Sequence, residues 1–231
     1  YFSTGGGKTE AFLGCVLFSL FFDRLRGKSK GLTAIIKYPL RLLSIQQVDR
    51  VMKKIVSAQV IKAKYKLKGD DFSLGYFVGG GNTPNIIEDY DQVNDKIDDF
   101  ANEYQQIYEC PLCHSKVKLK VDIKEKTINH CCESEACKYH NGLPYLFIDD
   151  EIYRHVPSIL ISTLDKFAVM SINNRFKSLL YIDENGIPQC HDPVPTLSII
   201  DEIHLIKESL GTFSSHYESI FYYFCSNLIK D

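Results

Sequence analysis

The chain has 231 residues, 45% of them hydrophobic, and a formal charge of -2. That length supports one sizeable core with a small appended module, and the composition excludes a disordered chain. A charge so close to zero excludes nucleic-acid binding through bulk positive charge and leaves only local basic patches for that purpose.

The first readable segment is Ser3-Thr4-Gly5-Gly6-Gly7-Lys8-Thr9, which has the form of a phosphate cradle. A glycine-rich turn leaves backbone N–H groups free to wrap phosphate oxygens. Lys8 reaches the β/γ-phosphates, and the Thr9 hydroxyl can bind Mg²⁺. Residues 10–26 are apolar on every face, as in a core helix packed under a sheet. Its N-terminus sits at the phosphate site, where the helix dipole favours anions. The apolar run 11–22 is too short to span a bilayer. A charged turn at 27–31 leads to a short buried strand over 32–36 and a helix over 44–64. A strand over 72–78 then ends in Gly79-Gly80-Gly81. Strands alternating with helices predict an α/β fold with a mostly parallel sheet.

The alternation breaks at 88–109, where eight acidic residues accompany one lysine, the pattern of a solvated helix or loop. Five of the eight cysteines follow, between residues 110 and 140. Eight cysteines behind a start that is not signal-like predict a reducing, cytoplasmic setting. There, clustered cysteines bind metal more often than they pair. Cys110-Pro111-Leu112-Cys113, a separated second pair and an intervening hairpin-like stretch (117–121, then 127–129) predict a zinc ribbon. Its ligands read as Cys110, Cys113, Cys132 and Cys137, with Cys131 able to replace Cys132 and His114, His130 and His140 in reserve. Four protein ligands leave no open position on Zn²⁺, so the site reads as structural. Cys15, Cys190 and Cys225 are scattered and read as core or surface residues.

After Gly142 the alternation resumes, with a strand over 158–161 and a helix over 165–176. A polar excursion over 177–195 leads to a buried strand over 196–200. That strand ends in Asp201-Glu202-Ile203-His204, two adjacent carboxylates followed by a histidine. Asp201 would hold Mg²⁺, and Glu202 is placed to activate water. An aromatic-rich helix over 216–228 closes the chain. A cradle and paired carboxylates in this order predict an NTP-hydrolysing fold. Lys8, Asp201 and Glu202 are its catalytic candidates, with Thr4, Gly5, Gly6, Gly7, Lys8, Thr9 and Asp201 holding ATP and Mg²⁺. A phosphate loop normally follows a core strand, and none precedes Tyr1, so the chain reads as a piece of a larger protein.

Between these motifs the chain resembles the first RecA-like lobe of a superfamily-two, DExH-type helicase. Residues 2–9 are similar to motif I, and Pro39-Leu40-Arg41-Leu42-Leu43-Ser44-Ile45-Gln46 to motif Ia. Gly79-Gly80 falls where such lobes carry a Gly-Gly turn. Ser162-Thr163-Leu164-Asp165-Lys166-Phe167 resembles motif Ib with its middle Pro-Gly replaced by Leu-Asp. Asp201 to His204 matches motif II. A closer resemblance is to the large bacterial defence helicases of the DISARM type. It is carried by residues 5–10, by 38–47, by Gly80-Gly81-Asn82-Thr83-Pro84-Asn85, and by 201–218 with Leu210-Gly211-Thr212 and Tyr217-Glu218. Isoleucine stands before Asp201 where that branch has glutamine, and serine and histidine stand where its run is commonly glycine-rich.

The resemblance implies an ATP-dependent helicase or translocase lobe with a role in phage defence. It also implies nucleic-acid backbone contacts, to DNA rather than RNA, at Arg41, Gln46, Gly79, Gly80, Thr163 and Lys166. Such residues suit phosphates and carry no sequence information. Outside the motifs, Arg41 reads as a surface cation, Gln46 as a helix-face polar residue and His204 as a satisfied core histidine. In the family, the histidine at the position of His204 couples nucleotide state to the nucleic-acid site. Lys53, Lys54, Lys62, Lys64, Lys66 and Lys68 occur without an intervening carboxylate and could extend that surface.

The implied layout is a lobe in two parts, 1–87 and 142–231. An acidic segment and zinc ribbon at 88–141 separate the strands at 72–78 and 158–161. A second RecA-like lobe would supply an arginine finger worth about 10³ to 10⁵ in rate, so this chain alone should hydrolyse almost nothing. Defence-complex subunits are further implied partners; a membrane is not. The alternatives are a nucleic-acid-binding or protein-docking ribbon module with vestigial ATP motifs, and a P-loop ATPase acting on protein.

Overall fold

Five short apolar stretches pair into the central sheet of the protein. Its structure is a computed structural model describing residues 7–79, 83–170, 175–183, 185, 187–189, 192–205 and 208–228. The elements begin with α1 (Lys8–Leu25), β1 (Ala34–Tyr38), α2 (Arg41–Lys64) and β2 (Leu74–Phe77). Then come α3 (Tyr90–Asp95), α4 (Ile97–Tyr104), β3 (Val117–Asp122), β4 (Thr127–Cys132), β5 (Tyr145–Leu146) and α5 (Asp149–Arg154). The chain continues through β6 (Ile159–Thr163), α6 (Leu164–Met170), α7 (Phe176–Leu179), β7 (Leu197–Ile200) and α8 (Glu208–Leu228). Among the described residues no helix is long and apolar enough to cross a membrane.

The sheet order is β5-β2-β6-β1-β7, and every pairing in it is parallel. Parallel strands need crossovers, so helices cover both faces and strand residues are apolar in both directions. Ala34 and Ile36 of β1 join a core with Leu13, Val16, Val51 and Ile55 of α1 and α2. Ile35, one residue out of phase, packs on the other face with Leu160, Phe167 and Phe221. Gly75 in β2 is required by crowding: a Cβ there would lie 2.6 Å from Pro157 Cγ. The register puts Tyr38 beside Thr163 and Lys37 beside Ile200, so β1, β6 and β7 finish together.

Two sequence expectations change at the β7 end of the sheet. The strand over 196–200 is half-buried rather than buried, because β7 is the last strand of the described sheet. Helix α1 covers β1 and β7 with one side only, which leaves Phe18 69% and Leu25 72% exposed despite its all-round apolar sequence. The helix expected over 165–176 appears as α6 and α7; residues 171–174 between them lie outside the described residues.

The acidic segment folds into α3 and α4. Asp89 caps α3 by accepting from the N–H groups of Asp91 and Gln92, each at 3.0 Å. Its apolar residues Tyr90, Ile97 and Phe100 pack against Val117, Leu119 and Ile128 of an antiparallel hairpin, β3–β4. The Asp122 side chain starts the hairpin turn by accepting from the N–H groups of Lys124 and Glu125. This inserted unit has no separate core: Val117, Ile128, Cys132 and Leu143 belong to the same cluster as Ile36 and Tyr76 of the main sheet.

Helix α5 fastens the hairpin to that sheet. Its fully buried Glu151 accepts from Ile128 N–H at 2.9 Å and from the Tyr90 hydroxyl at 3.5 Å, while Oε2 has no partner. Burial raises this carboxyl from the ordinary 4.5 to about 8, against the lowering effects of the Ile128 hydrogen bond and Arg154. A carboxyl raised on folding favours the fold below its unfolded pKa, and that contribution is lost as pH climbs to the folded pKa. The unfolding free energy should therefore fall between pH 5 and 8, by up to about 1.4 kcal/mol per pH unit. Glu151→Gln should flatten this profile in urea titrations. An unchanged slope in the variant would assign the pH dependence elsewhere.

Candidate functional site

The N-terminus of α1 opens toward the carboxyl end of β7. Gly7, its cap, has φ 77° and ψ 14°, the left-handed region that glycine occupies without strain. Among the described residues, nothing lies within 4 Å of where a Cβ on Gly7 would stand. The N–H groups of the first turn have no intrahelical acceptor and face that space as donors for an anion. Lys8 Nζ lies 2.7 Å from Asp201 Oδ1 and 2.7 Å from Glu202 Oε1. These hydrogen bonds, the one to Asp201 first, raise the pKa of the Lys8 ammonium.

The Asp201 N–H donates to Lys37 C=O at 3.0 Å, carrying the sheet ladder one residue past β7. Asp201 Oδ1 accepts from Glu202 N–H at 2.9 Å, and Glu202 itself is held at φ 51°. A non-glycine residue in that region stores about 1–3 kcal/mol and persists only where its surroundings fix it. His204 is 69% exposed, with Nδ1 3.3 Å from Glu202 Oε2, so it is not a core histidine. One cation, two carboxylates and a histidine therefore meet where α1 begins and β7 ends. Thr4, Gly5 and Gly6 of the expected cradle lie outside the described residues.

The expected nucleic-acid contacts fare differently from one another. Gln46 is exposed on α2, whereas Gly80 and the side chain of Arg41 lie outside the described set. Gly79 follows β2 at φ 94°. Thr163 is fully buried with its hydroxyl unpartnered, opposite Tyr38, whose hydroxyl is also unpartnered. Lys166 is ion-paired with Asp149 and donates to Asn85 Oδ1 at 3.1 Å, with its side chain 18% exposed. In this packing Thr163 lies inside the sheet and Lys166 is engaged by Asp149 and Asn85. Together with the hydrogen bonds from Asp149 and Asp150 N–H to Pro84 and Asn85 C=O, Lys166 seats the Thr83-Pro84-Asn85 turn on α5. The lysine run is likewise broken by carboxylates from elsewhere: Lys53 pairs with Asp49, Lys54 with Glu10 and Lys62 with Asp71.

A second cluster lies on the insert. The Sγ atoms of Cys110, Cys113, Cys132 and Cys137 all fall within 4.8 Å of one another. Cys110 and Cys137 approach to 3.8 Å, and Cys113 and Cys132 to 3.4 Å. Tetrahedral zinc with bonds of about 2.3 Å separates its sulfurs by about 3.8 Å, so the donor set fits that ion. The Cys110–Cys113 turn is closed by His114 N–H donating to Cys110 C=O at 2.9 Å, and Tyr139 N–H points at Cys137 Sγ. Hydrogen bonds from Ser115, side chain before backbone, hold the Cys113 thiol down to about 6; burial pushes Cys132 up to about 12.

Strand alternation decides between the two adjacent cysteines. Cys132 faces the cluster and Cys131 points to the other face, beside Lys118. His130 is buried against the rings of Tyr145 and Phe147, and burial alone lowers its pKa to about 3. His114 pairs with Glu109, and His140 contacts the Cys132 carbonyl. Among the described residues, no histidine joins the four thiols. Cys15 is exposed and Cys225 buried, away from the cluster.

One pairing had no motif to announce it. Lys37, fully buried in β1, is hydrogen-bonded to Glu218 of α8 and sits 4.3 Å above the Phe167 ring. Burial lowers its pKa. The visible signal was a lysine inside an otherwise apolar strand.

No family model matches the chain. Over an alignment of 266 residues it is 34% identical to the DISARM protein DrmA of Bacillus paralicheniformis, covering 95% of this chain and 24% of that protein. The chain thus spans about a quarter of the length of the relative it matches. With 34% identity along nearly all its length, the chain is DISARM-related.

Proposed function

We propose that the chain is the nucleotide-binding RecA-like lobe of an ATP-dependent helicase or translocase acting on nucleic acid, in a protein with a role in phage defence. The observation that carries this reading is Lys8 held between Asp201 and Glu202 at the start of α1, on the carboxyl edge of a parallel sheet. That edge is where open α/β sheets bind their ligands. The DISARM relationship supports the setting in defence.

The residues present fit Mg-ATP. The first turn of α1 and Lys8 would hold its phosphates, while Thr9 and Asp201 would hold Mg²⁺. Bound Mg-ATP supplies the phosphoryl group that is transferred to water. With Mg-ATP bound, Lys8 would exchange its carboxylate partners for phosphate oxygens, which would leave Glu202 Oε1 free to accept a proton from water. His204, whose Nδ1 lies 3.3 Å from the other Glu202 oxygen, would sense whether that carboxylate is engaged. Zinc is the second proposed cofactor, held structurally by the four clustered cysteines. The remaining lobe of the motor, and other defence subunits, are proposed partners.

The test is ATP turnover by the intact protein with and without oligonucleotides. Turnover that rises on adding DNA supports the reading. Turnover indifferent to DNA and RNA, or no turnover, overturns it.

A further inference from the structure

Lysine and aliphatic residues alternate strictly from position 116 to 121 in the hairpin of the insert. In an extended strand such alternation sends the two sets to opposite faces. Val117 and Leu119 are buried against the main core, and Lys116 and Lys118 are exposed on the outer face, with Lys120 half-exposed beyond them. Successive members of that row are about 6.6 Å apart along the strand. Across the hairpin, Lys118 faces Cys131 and Lys120 faces Asn129, neither of which can neutralise an ammonium. Among the described residues one carboxylate reaches the row, Glu133 at 3.5 Å from Lys118, and Lys116 and Lys120 have no ion pair. The lysines of α2, by contrast, are largely matched.

Two other carboxylates lie close to the row and are engaged elsewhere. Glu109, the backbone partner of Lys116, pairs with His114, and Asp122, two residues past Lys120 on the same face, accepts from the N–H groups of Lys124 and Glu125. The row is also rigidly mounted. The cysteine cluster closes one end of the hairpin, and Arg154 grips the other by donating to the carbonyls of Glu125 and Lys126 at 3.1 and 2.6 Å. Arg154 belongs to α5, whose Asp149 holds Lys166 of α6, the helix that follows β6.

We propose that Lys116, Lys118 and Lys120 form a contact for the phosphate backbone of a nucleic-acid strand, outside the helicase-type motifs. This rests on the reading of the protein as a nucleic-acid motor. Three ammonium groups spaced along a pre-ordered strand suit successive phosphates of one chain and read no sequence. Because the hairpin is tied through α5 to the helix that follows β6, a strand held there stays registered to the motor sheet.

The experiment measures binding of a mixed-sequence single-stranded DNA oligonucleotide to the intact protein across a salt series. The variants are the triple Lys116→Gln/Lys118→Gln/Lys120→Gln and its charge-keeping counterpart Lys116→Arg/Lys118→Arg/Lys120→Arg. Each phosphate contact on a single strand contributes about 0.7 to the salt slope, so the glutamine triple should lower that slope by about 2 and weaken binding roughly tenfold or more. The arginine triple should restore both. Zinc content and ATP turnover without nucleic acid should be unchanged in each. Should the glutamine triple not fold, Lys116→Gln and Lys120→Gln singly should each lower the slope by about 0.7. A wild type that binds DNA, with variants of unchanged slope and affinity, overturns the contact while leaving the motor reading intact. A wild type that binds no oligonucleotide overturns both.

Discussion

Replacing Glu202 by glutamine in the intact protein is expected to preserve ATP binding and abolish turnover, with a loss of about two to four orders of magnitude for removal of a general base. The substitution keeps size and hydrogen bonding but removes the carboxylate that accepts the water proton. Asp201, which lies closer to the end of β7, still offers its oxygens to Mg²⁺. The lost Lys8–Glu202 ion pair is partly exposed, so its contribution to stability is small and the fold should persist. Lys8→Ala should behave differently and lose both binding and turnover, because Lys8 is the cation that the phosphates would meet. Equilibrium nucleotide binding and single-turnover hydrolysis, measured on both variants, separate the two roles. Normal turnover in the Glu202 variant removes the assignment.

Cys110→Ser is expected to release about one zinc per chain and to loosen residues 109–140. A hairpin of this size buries too little to fold on its own, and for such sites metal-binding energy is folding energy. The effect should spread further than an appended module would allow, since Cys110, Cys132 and Cys137 share a core with Tyr145 of β5 and Tyr76 of β2. Hydrogen exchange should therefore accelerate in β3, β4 and β5 before it does in β1 and β7. Cys131→Ser serves as the matched control. Its thiol lies on the other face of β4, and the metal should stay. Elemental analysis of both variants decides the matter: zinc retained by Cys110→Ser, or lost equally from both, would defeat the four-cysteine assignment.

Local pattern carried much of the architecture. Strands were legible over 32–36, 72–78 and 158–161 as apolar runs between turn signals, where the fold has them at 34–38, 74–77 and 159–163, and the hairpin was legible as two short runs either side of Lys124. The paired motifs at Lys8 and at Asp201-Glu202 were legible because each is contiguous, and the fold joins them across 194 positions. The cysteine knuckle was legible for the same reason. The choice between Cys131 and Cys132 was not, because they are adjacent and only strand phase distinguishes them.

What lay beyond the sequence has a common physical cause: it depends on which charged and polar groups meet through space. Lys166 and Thr163 match a motif, but whether they face solvent is set by Asp149 of α5 and by the pairing of β6 with β1. Lys37 lies one residue past the strand expected over 32–36, yet the fold buries it in β1, where α8 brings Glu218 over it from 181 positions away. The α2 lysines look like one basic run until Asp49, Glu10 and Asp71 fold against three of them. Sequence by itself determined the order of elements, the parallel sheet and the chemistry of two candidate sites, because backbone periodicity and contiguous motifs are local. Tertiary structure alone decided which charges are neutralised and which, like Lys116 and Lys120, have no ion pair among the described residues, because Coulomb partners are chosen by distance in space rather than along the chain.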